Sequence, residues 1–453
     1  MEKKVALSIA GSDPSGGAGI QADLKSFSYL GVHGTTVVAC VTSQNTQRVE
    51  GIFKVPADVI QSQLESILND LPIAAVKTGM LYDDDTVQLA AKTLIQYHLK
   101  PVVDPVMVAT SGDRLSDRSF VVSLKRHLLP NALMVTANAA EASTLSGIPV
   151  ETQQDAKDAC KTIYSLGPQF VLVKGGHLKE ENVVDVLYDG KRFHTFSLPR
   201  LPNKKAHGSG CTLSALITGL LALGESPVDA VQNAKHITWA MIQEGYSPGK
   251  GSDVLNHSSK IQVPPVLKND QMFQVWLELK TAVEQLIALL PASYIPEVGL
   301  NFVYANPNAT TKADVCGING RITKYNDKPH LCGSLAFGAS KHIAAVILAA
   351  QSLDPTVRAS LNIRYSKATV DLCKKIGFSV GTFDRKNEPA TAFSTMEWGT
   401  KQAISTLGHV PDVIYDEGGI GKEPMIRILG KNPTDILMKI KKLLGSFILG
   451  LTD

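Results

Sequence analysis

Residues 5–23 have the sequence VALSIAGSDPSGGAGIQAD, and this stretch decides the fold of the first half of the chain. Residues 5–9 are apolar and are ended by Gly-Ser-Asp, which predicts a short buried strand. The glycines that follow let the backbone approach a ligand closely before the chain enters a helix. On its own, this loop fits a ligand site and a plain tight turn equally well.

The same alternation of strand and helix continues to about residue 250. Short apolar runs predict strands at residues 36–42, 74–77, 101–103, 132–136 and 170–173. Helical patterns fill the gaps between them, for example at residues 56–69 and 84–97. Strands that alternate with helices form βαβ units, so we expect a mostly parallel sheet in an α/β domain.

The composition changes near residue 253, where the chain reads SDVLNHSSKIQVPPVLKND up to residue 270. Serines, asparagines and a pair of prolines interrupt helices and are typical of an interdomain linker. We therefore predict a first domain at residues 1–255, a linker at 256–268 and a second domain at 269–453. The second domain should open with a helix at residues 270–290 and contain strands near 298–304, 360–365 and 413–415.

Composition and charge exclude several classes of protein. The 453 residues contain 45 Lys and Arg against 42 Asp and Glu, so the net charge of +3 argues against a dedicated nucleic-acid binder. The six cysteines are scattered without a C-x-x-C pair, which disfavours a zinc site and a disulfide framework. The longest apolar stretch, residues 213–223, is well short of the ~20 residues of a membrane span. Because the N-terminal apolar run is also too short for a signal peptide, we expect a cytoplasmic protein.

A second glycine motif, AHGSGCT at residues 206–212, is followed by the apolar helical sequence LSALITGLLALG. Small residues at a helix N-terminus leave free N–H groups that point outward and, together with the helix dipole, form an anion site. Such donors suit phosphoryl transfer, because they stabilise charge on the γ-phosphate. Cys211 lies in the first turn, where the dipole is expected to lower the pKa of its thiol. The alternative is a buried cysteine that merely packs the start of the helix.

Taken together, the two motifs resemble the hydroxymethylpyrimidine and hydroxymethylpyrimidine-phosphate kinases, which are members of the ribokinase family. The resemblance runs from about Val5 to Gly251 and includes VTSQNT at 41–46, KTGML at 77–81, VVDPVM at 102–107 and VKGGH at 173–177. It implies a ribokinase-like three-layer α/β/α domain that uses ATP and Mg²⁺. Pyridoxal kinases share parts of this pattern, so pyridoxal is an alternative side substrate.

The resemblance also implies a role for particular side chains of the first domain. Cys211 would be the catalytic base. The aminopyrimidine would be held by Gly11, Asp23, Gln44 and Met80. The anion hole and the ATP phosphates would involve Gly208, Ser209, Gly210 and Lys174. Asp104 and Glu141 would act around Mg²⁺, partly through water.

In the second half, polar clusters lie between apolar elements. The segment AFGASKH at 336–342 opens the helical sequence IAAVILAA, and GINGR at 317–321 precedes a loop. A Ser at a helix start is usually an N-cap, yet glycine, serine and a cation there also make an anion site. Read without any resemblance, these residues predict a phosphate ligand and leave Mg²⁺ open.

The second half resembles the archaeal-type thiamine-phosphate synthase domain, over roughly residues 284–444. The resemblance rests on IPEVGLN at 295–301, FGASKH at 337–342, NIRYS at 362–366, DR at 384–385 and PDVIYDEGGIGKEPMIRILG at 411–430. An Arg and a His that mark the catalytic branch match Arg321 and His342. Asp416, Glu417 and Glu423 are candidates for carboxylates beside Mg²⁺, although ordinary surface acids fit each of them equally well.

The two resemblances together imply a bifunctional enzyme of thiamine biosynthesis, with a ribokinase-like domain followed by a second, smaller α/β domain. The kinase would phosphorylate the aminopyrimidine alcohol twice, and the second domain would condense the diphosphate with hydroxyethylthiazole phosphate. The alternative is a kinase whose second half only binds thiamine phosphate as a regulatory module. The expected partners are small-molecule substrates, with no nucleic acid and no membrane, and a homodimer is compatible with the resemblance.

Overall fold

The computed structural model describes residues 3–107, 118–177, 182–201, 206–258, 270–389, 394–419 and 421–448. The chain divides into two compact units, Met1–Pro265 and Val266–Asp453. Apart from residues 256–258, the linker predicted at 256–268 lies outside the described residues, so its boundaries stay a prediction. Within the described ranges, no helix combines the length and the apolar character that crossing a bilayer requires.

The first unit alternates strands and helices along most of its length. Its strands are β1 (Val5–Ser12), β2 (His33–Gln44), β3 (Val49–Lys54), β4 (Ile73–Thr78), β5 (Val102–Val103), β6 (Met134–Asn138), β7 (Phe170–Lys174), β8 (Asn182–Tyr188), β9 (Phe193–Pro199), β10 (Ala206–His207) and β11 (Asp253–Val254). Its α-helices are α1 (Gly19–Tyr29), α2 (Ala57–Leu68), α3 (Asp84–Gln96), α4 (Arg118–Ser123), α5 (Ala139–Ser146), α6 (Gln153–Tyr164), α7 (Ser209–Ala222) and α8 (Pro227–Gln243).

The main sheet of this unit has the order β3-β2-β1-β4-β5-β6-β7-β8-β9 among the described residues. The six central strands, β2, β1, β4, β5, β6 and β7 in sheet order, are parallel. At the two edges of the sheet, β3, β8 and β9 pair antiparallel. Ala6 of β1 packs with α1 and α7, whereas Leu7 and Ile9 face the cluster that contains α2, α3, α5 and α6. Helices therefore cover both faces, as expected for three layers.

The parallel arrangement collects the predicted site residues at one edge of the sheet. Strands β1, β2 and β4 end beside Gly11, Gln44 and Met80, and strands β5 and β7 end at Asp104 and Lys174. Ligands of open α/β sheets bind outside the carboxyl ends of the strands, because the loops that follow them converge there. The fold thus brings together residues that are far apart in the sequence.

The second unit is built from strands β12 (Phe302–Ala305), β13 (Val315–Tyr325), β14 (Lys328–Phe337), β15 (Ala359–Arg364), β16 (Val380–Thr382), β17 (Val413–Asp416) and β18 (Met425–Gly430). Its helices are α9 (Asp270–Leu289), α10 (Lys341–Gln351), α11 (Lys367–Lys375), α12 (Thr395–Leu407) and α13 (Pro433–Ile448). The sheet order is β14-β13-β12-β15-β18-β17-β16. Helices α10 and α12 pack on one face around Val303, Ile414 and Leu429.

This second sheet differs from the first, because only β16 and β17 pair in parallel and the other described pairs are antiparallel. The strand predicted at 298–304 starts only at Phe302, since Val298 is exposed and Gly299 has a φ of +81° that breaks the extended backbone. The GINGR segment was expected before a loop and lies instead inside the long strand β13.

A buried ion pair ties α1 to β4 below the edge where the parallel strands of the first sheet end. The Lys77 Nζ lies 2.7 Å from Asp23 Oδ1, and both side chains are fully buried. Asp23 Oδ2 accepts a second hydrogen bond from the Ser8 hydroxyl of β1, at 2.6 Å. A buried charge is tolerated only with such partners, so α1, β1 and β4 are held in one relative position.

Replacing Asp23 with Ala leaves the Lys77 ammonium buried without a counter-charge, and we expect the free energy of unfolding of this unit to fall by about 3–5 kcal/mol. The double variant Asp23→Leu with Lys77→Met removes both charges and should recover most of that loss. Urea unfolding combined with hydrogen exchange of peptides from α1 and β4 measures both effects. Equal protection in Asp23→Ala and in the unaltered chain would contradict this account of the pair.

Two candidate active sites

The two glycine motifs of the first unit pack backbone against backbone. A Cβ at Gly208, whose φ is +83°, would lie 1.8 Å from the Gly17 carbonyl oxygen. A Cβ at Gly17 would in turn lie 2.7 Å from Cδ2 of His207. Only glycine fits at this contact, so the loop after β1 and the start of α7 form one continuous surface.

The residues predicted to hold the pyrimidine lie around this surface. A Cβ at Gly11 would be 3.5 Å from the Met80 Sδ, and Met80 is buried. The Gln44 amide nitrogen lies 3.1 Å from Nε2 of His207, and the same ring nitrogen is 3.2 Å from Asp13 Oδ2. This ring nitrogen donates to Asp13 when it carries a proton and accepts from the Gln44 amide when it does not, so His207 stands between the two side chains. Sequence reasoning missed Asp13 and His207 as positioning residues, although both lie inside the glycine motifs.

Asp23 occupies a different position from the other predicted pyrimidine ligands. Both of its carboxylate oxygens are taken by Ser8 and Lys77, and it is fully buried. Its contact with substrate stays a prediction, and the contact that the structure does contain is with Lys77. A lysine that directly follows the apolar residues 73–76 within one strand is the sequence signal that could have identified this pair.

The first turn of α7 provides the anion site that its sequence predicts. The first helical hydrogen bond runs from the Thr212 N–H to the Gly208 carbonyl, at 2.9 Å. The preceding N–H groups of Ser209, Gly210 and Cys211 make no bond within the helix, and the helix dipole adds positive potential there. A Cβ at Gly210 would lie 3.2 Å from the Lys174 Nζ, so a lysine ammonium stands beside these donors.

Lys174 joins the two carboxylates that were predicted around Mg²⁺. Its Nζ lies 3.1 Å from Asp104 Oδ1 and 3.9 Å from Glu141 Oε2, and all three side chains are largely buried. Asp104 Oδ2 also accepts from the Ser214 hydroxyl of α7, at 3.1 Å. Burial raises the pKa of Glu141 to about 7, because the nearby Asp104 charge adds to desolvation and Lys174 offsets only part of it.

Cys211 differs from its expected chemistry in one respect. Burial raises the pKa of its thiol to about 11, and the Lys77 charge and a hydrogen bond from the Gly19 N–H lower it by less. The expectation of a lowered thiol pKa is therefore wrong for this structure. The physical reason is that burial disfavours the thiolate by more than the Lys77 charge and the Gly19 N–H favour it.

In the second unit, the predicted Arg321 lies in the middle of β13 and is exposed. Its side chain lies across Gly299, where a Cβ would come within 2.7 Å of the Arg321 Cδ. The loop below is fixed by Glu423, whose two carboxylate oxygens accept from the backbone N–H groups of Glu297 and Val298 at 2.9 and 3.1 Å. Glu423 thus supports the loop under Arg321.

His342 lies in the first turn of α10, which begins after Ser340 in a left-handed conformation with φ of +55°. Ser340 makes no side-chain cap, so the helix start is not closed by its hydroxyl. Desolvation lowers the pKa of His342, and the positive charge of Arg321 lowers it further. The positive charge of Arg321 therefore acts on the His342 imidazole.

Further cations surround the same imidazole. Lys312, Arg385 and Arg427 also lower the pKa of His342 through their charge. Sequence reasoning missed Lys312 and Arg427 as site residues, although an arginine inside the apolar strand MIRILG is a visible signal. This concentration of positive charge suits a ligand that carries several phosphate charges.

The acidic residues suggested beside Mg²⁺ in this half are already engaged. Asp416 is fully buried and accepts hydrogen bonds from Arg385, and Glu417 Oε1 lies 3.2 Å from the Tyr365 hydroxyl. Together with the Glu423 contacts, these bonds leave the three carboxylates apart rather than converging on one ion. No group of three or more His, Cys, Asp or Glu suited to a metal occurs among the residues that the structure describes.

Comparison with protein families assigns both halves of the chain. The family described as phosphomethylpyrimidine kinase matches residues 13–256, and thiamine-phosphate synthase ThiN matches residues 278–442. Among solved structures, the pyridoxal kinase of Staphylococcus aureus in complex with ADP is 33% identical. That match has a TM-score of 0.55 and covers 58% of this chain and 96% of that one. The ribokinase-like fold of the first unit is thereby confirmed.

Two curated relatives are themselves bifunctional. The chain is 42% identical over 252 residues to the thiamine biosynthesis bifunctional protein ThiED of Geobacter sulfurreducens, and the match spans 55% of this chain but only 51% of that protein. It is 32% identical over 447 residues to the bifunctional thiamine biosynthesis protein ThiDN of Methanocaldococcus jannaschii, which covers 96% of this chain and 97% of that one. The chain therefore belongs to the family of bifunctional thiamine biosynthesis proteins that join a phosphomethylpyrimidine kinase domain to a ThiN-type thiamine-phosphate synthase domain.

Proposed function

We propose that this chain uses ATP to phosphorylate the hydroxymethylpyrimidine alcohol twice, and then joins the diphosphate to hydroxyethylthiazole phosphate. The products of the last step are thiamine phosphate and pyrophosphate. One observation supports the kinase reaction most strongly. The free N–H groups at the start of α7 lie beside Lys174, which is paired with Asp104. The two-step sequence is supported by the relative that matches both halves.

In each kinase step, a substrate oxygen attacks the γ-phosphorus of ATP and ADP leaves. The N–H groups of Ser209 and Gly210 and the ammonium of Lys174 stabilise the charge on the transferred group. Cys211, once ionised, takes the proton of the attacking oxygen, which belongs to the hydroxymethyl group in the first step and to the phosphate in the second. Lys77 and the Gly19 N–H favour the thiolate, while burial opposes it.

The residues around Asp104 fit a Mg²⁺ ion that is held through its water shell. Asp104 already accepts hydrogen bonds from Lys174 and Ser214, and Glu141 accepts one from the Asn138 N–H at 2.8 Å. Mg²⁺ usually keeps several waters and binds substrate phosphates, so direct coordination by both carboxylates is not required. When bound with ATP, the ion neutralises charge on the β- and γ-phosphates.

In the synthase step, the bond between the pyrimidine methylene carbon and the pyrophosphate oxygen breaks, and the electron pair leaves with pyrophosphate. The aminopyrimidine ring supports the resulting cation, and the lone pair of the thiazole nitrogen forms the new carbon–nitrogen bond. Arg321 binds the leaving-group charge, for which a planar guanidinium is well suited. His342 stabilises the same charge from the start of α10.

Replacing Cys211 with Ala should leave the chain folded and lower both kinase rates roughly 10²–10⁴-fold, because a general base is lost. Since burial raises the thiol pKa to about 11, the thiolate fraction grows with pH, and the rate of the unaltered kinase should rise between pH 7 and 10. Steady-state rates over this pH range measure both effects. A Cys211→Ala variant with unchanged turnover and pH profile would leave the anion hole as the main catalytic device.

Lowering the pH should weaken the binding of Mg²⁺ to the kinase, because Glu141 becomes protonated. With a pKa of about 7, this carboxyl is mostly protonated at pH 6 and mostly ionised at pH 8, so its attraction for a hydrated cation is present above pH 7 and lost below it. We expect the Mg²⁺ concentration for half-maximal kinase rate to fall as pH rises from 6 to 8. Glu141→Gln should abolish that change. A Gln variant that keeps the full pH dependence would show that another group is responsible.

Replacing Arg321 or His342 with Ala should leave both kinase steps intact and let the pyrimidine diphosphate accumulate. Losing one hydrogen-bond donor to the departing pyrophosphate costs roughly 10²–10³ in rate. Chromatography of the intermediates from the pyrimidine alcohol, ATP, Mg²⁺ and thiazole phosphate gives the readout. Accumulation of the monophosphate instead would mean that these residues serve the kinase. Thiamine phosphate formed at the normal rate would favour the regulatory binding module over the synthase.

A further inference from the structure

Four neighbouring strands of the second sheet carry buried polar side chains near the start of α10. Asn301 precedes β12, and Asn362, Arg427 and Asp416 lie on β15, β18 and β17, each at most 3% exposed. Asn362 and Arg427 are direct partners in the register. A Cβ at Gly317 would lie 3.3 Å from the Ser340 Cβ and 3.4 Å from Asn301 Oδ1, so this polar row reaches the helix start next to His342.

The two amides of the row serve the fold itself. Asn362 Oδ1 accepts from the Asn301 N–H at 2.7 Å, and the Asn301 amide donates to the Ile318 carbonyl at 2.9 Å. These bonds hold the irregular backbone around Gly299. Both amides find their partners within the protein, so neither needs a ligand. The charged half of the row is different.

Asp416 stands between two guanidinium groups. Its Oδ1 accepts from the Arg385 Nε at 2.6 Å and its Oδ2 from an Arg427 Nη at 2.8 Å. Although burial raises it, these two charges hold the pKa of Asp416 below its usual value, so the carboxylate is ionised. Two positive charges face one negative charge, and the cluster has a net charge of +1 below the surface.

Arg427 also has an unmet hydrogen-bonding need. Its side chain is 2% exposed, and its Nε has no acceptor among the described residues. A buried net charge and a buried donor without an acceptor are both costly. An anion that binds at this cluster would offset the cost of its net charge, which is a physical reason for such an arrangement to persist.

We propose that Arg385, backed by Arg427 and fixed by Asp416, binds the phosphate of the thiazole substrate, while Arg321 and His342 serve the pyrophosphate. This inference rests on the synthase function proposed above. The thiazole phosphate keeps its charge and its bonds throughout the reaction, so it needs rigid cations that bind substrate, transition state and product equally. Exposed Arg321 and His342 suit the group whose charge grows as its bond breaks.

The geometry of Arg385 fits this assignment. Its side chain is 14% exposed, and its Nε and one Nη are bonded to Asp416 at 2.6 and 3.2 Å. Its second Nη is in no hydrogen bond to a described residue and remains for a phosphate oxygen. Arg427 is the register partner of Asn362 in the polar row that reaches the start of α10, and the charges of Arg385 and Arg427 both act on His342.

Arg385→Gln in the full chain tests the proposal through the balance of kinetic constants. Loss of uniform binding raises KM and leaves kcat unchanged. We expect KM for thiazole phosphate to rise roughly 10- to 100-fold, the range for a lost charged hydrogen bond, with kcat and KM for the pyrimidine diphosphate within twofold. Arg385→Lys keeps the charge but not the two bonds to Asp416, and should fall between.

Lys386→Gln is the matched control. Lys386 is exposed in the same turn as Arg385. The Lys386→Gln substitution therefore removes one positive charge at nearly the same place and leaves the bonds to Asp416 unchanged. Its KM for thiazole phosphate should stay within twofold of the unaltered chain. A shift as large as that of Arg385→Gln would reduce the effect to general surface charge and overturn the proposal.

A binding measurement separates this inference from the proposed function. Calorimetry with thiamine phosphate and with thiamine needs no turnover, and the preference for the phosphorylated compound should fall roughly 10- to 100-fold in Arg385→Gln. If the unaltered chain forms no thiamine phosphate and Arg385→Gln nevertheless shows this loss of preference, the synthase proposal fails and the subsite stands. A change confined to KM for the pyrimidine diphosphate, or an equal loss for thiamine and thiamine phosphate with a lower melting temperature, would overturn the subsite.

Discussion

Burying a charged side chain costs several kcal/mol unless an opposite charge lies beside it, and this constraint organises both halves of the chain. In the kinase unit, Lys77 is paired with Asp23 below Cys211, and Lys174 is held by Asp104 at the start of α7. In the synthase unit, Asp416 joins Arg385 to Arg427. In each case the pair links different elements of the fold. The pairing of buried charges therefore sets the positions of Lys77, Lys174 and Arg385.

The kinase unit shows how a parallel sheet converts distant sequence positions into one site. Asp104 and Lys174 are 70 residues apart in the sequence, and their contact at 3.1 Å follows because β5 and β7 end at the same edge. The two glycine motifs then close the site, since Gly17 and Gly208 allow the loop after β1 to touch the start of α7. The residues proposed to bind substrate and phosphate thus lie where the central strands end, which favours precise positioning.

How far the sequence predicted this molecule depended on the range of the interactions. Local patterns located β1, α2, α3 and the start of α9, because apolar period and turn residues act over a few positions. The antiparallel edge strands and the long β13–β14 hairpin were missed, since their pairing depends on neighbours rather than on their own period. Among site residues, Cys211, Arg321 and His342 were named from motifs. The raised thiol pKa and the Arg385–Asp416–Arg427 cluster follow from burial, which one sequence does not display.

The two units offer phosphate groups different partners, helix N–H groups in the first and cationic side chains in the second, and the chemistry of the two reactions explains the difference. A kinase must stabilise charge that shifts between attacking, transferred and leaving oxygens, and fixed N–H dipoles at a helix start do this without holding the products too tightly. The synthase unit instead gathers Lys312, Arg321, Arg385 and Arg427 around His342. Full positive charges suit a reaction in which a pyrophosphate with several negative charges departs while a carbon cation forms nearby. The buried carboxylate of Asp416 lowers the net charge of the Arg385–Asp416–Arg427 cluster, and in the proposed reaction this would limit the repulsion between the arginines and the cation that forms as pyrophosphate leaves.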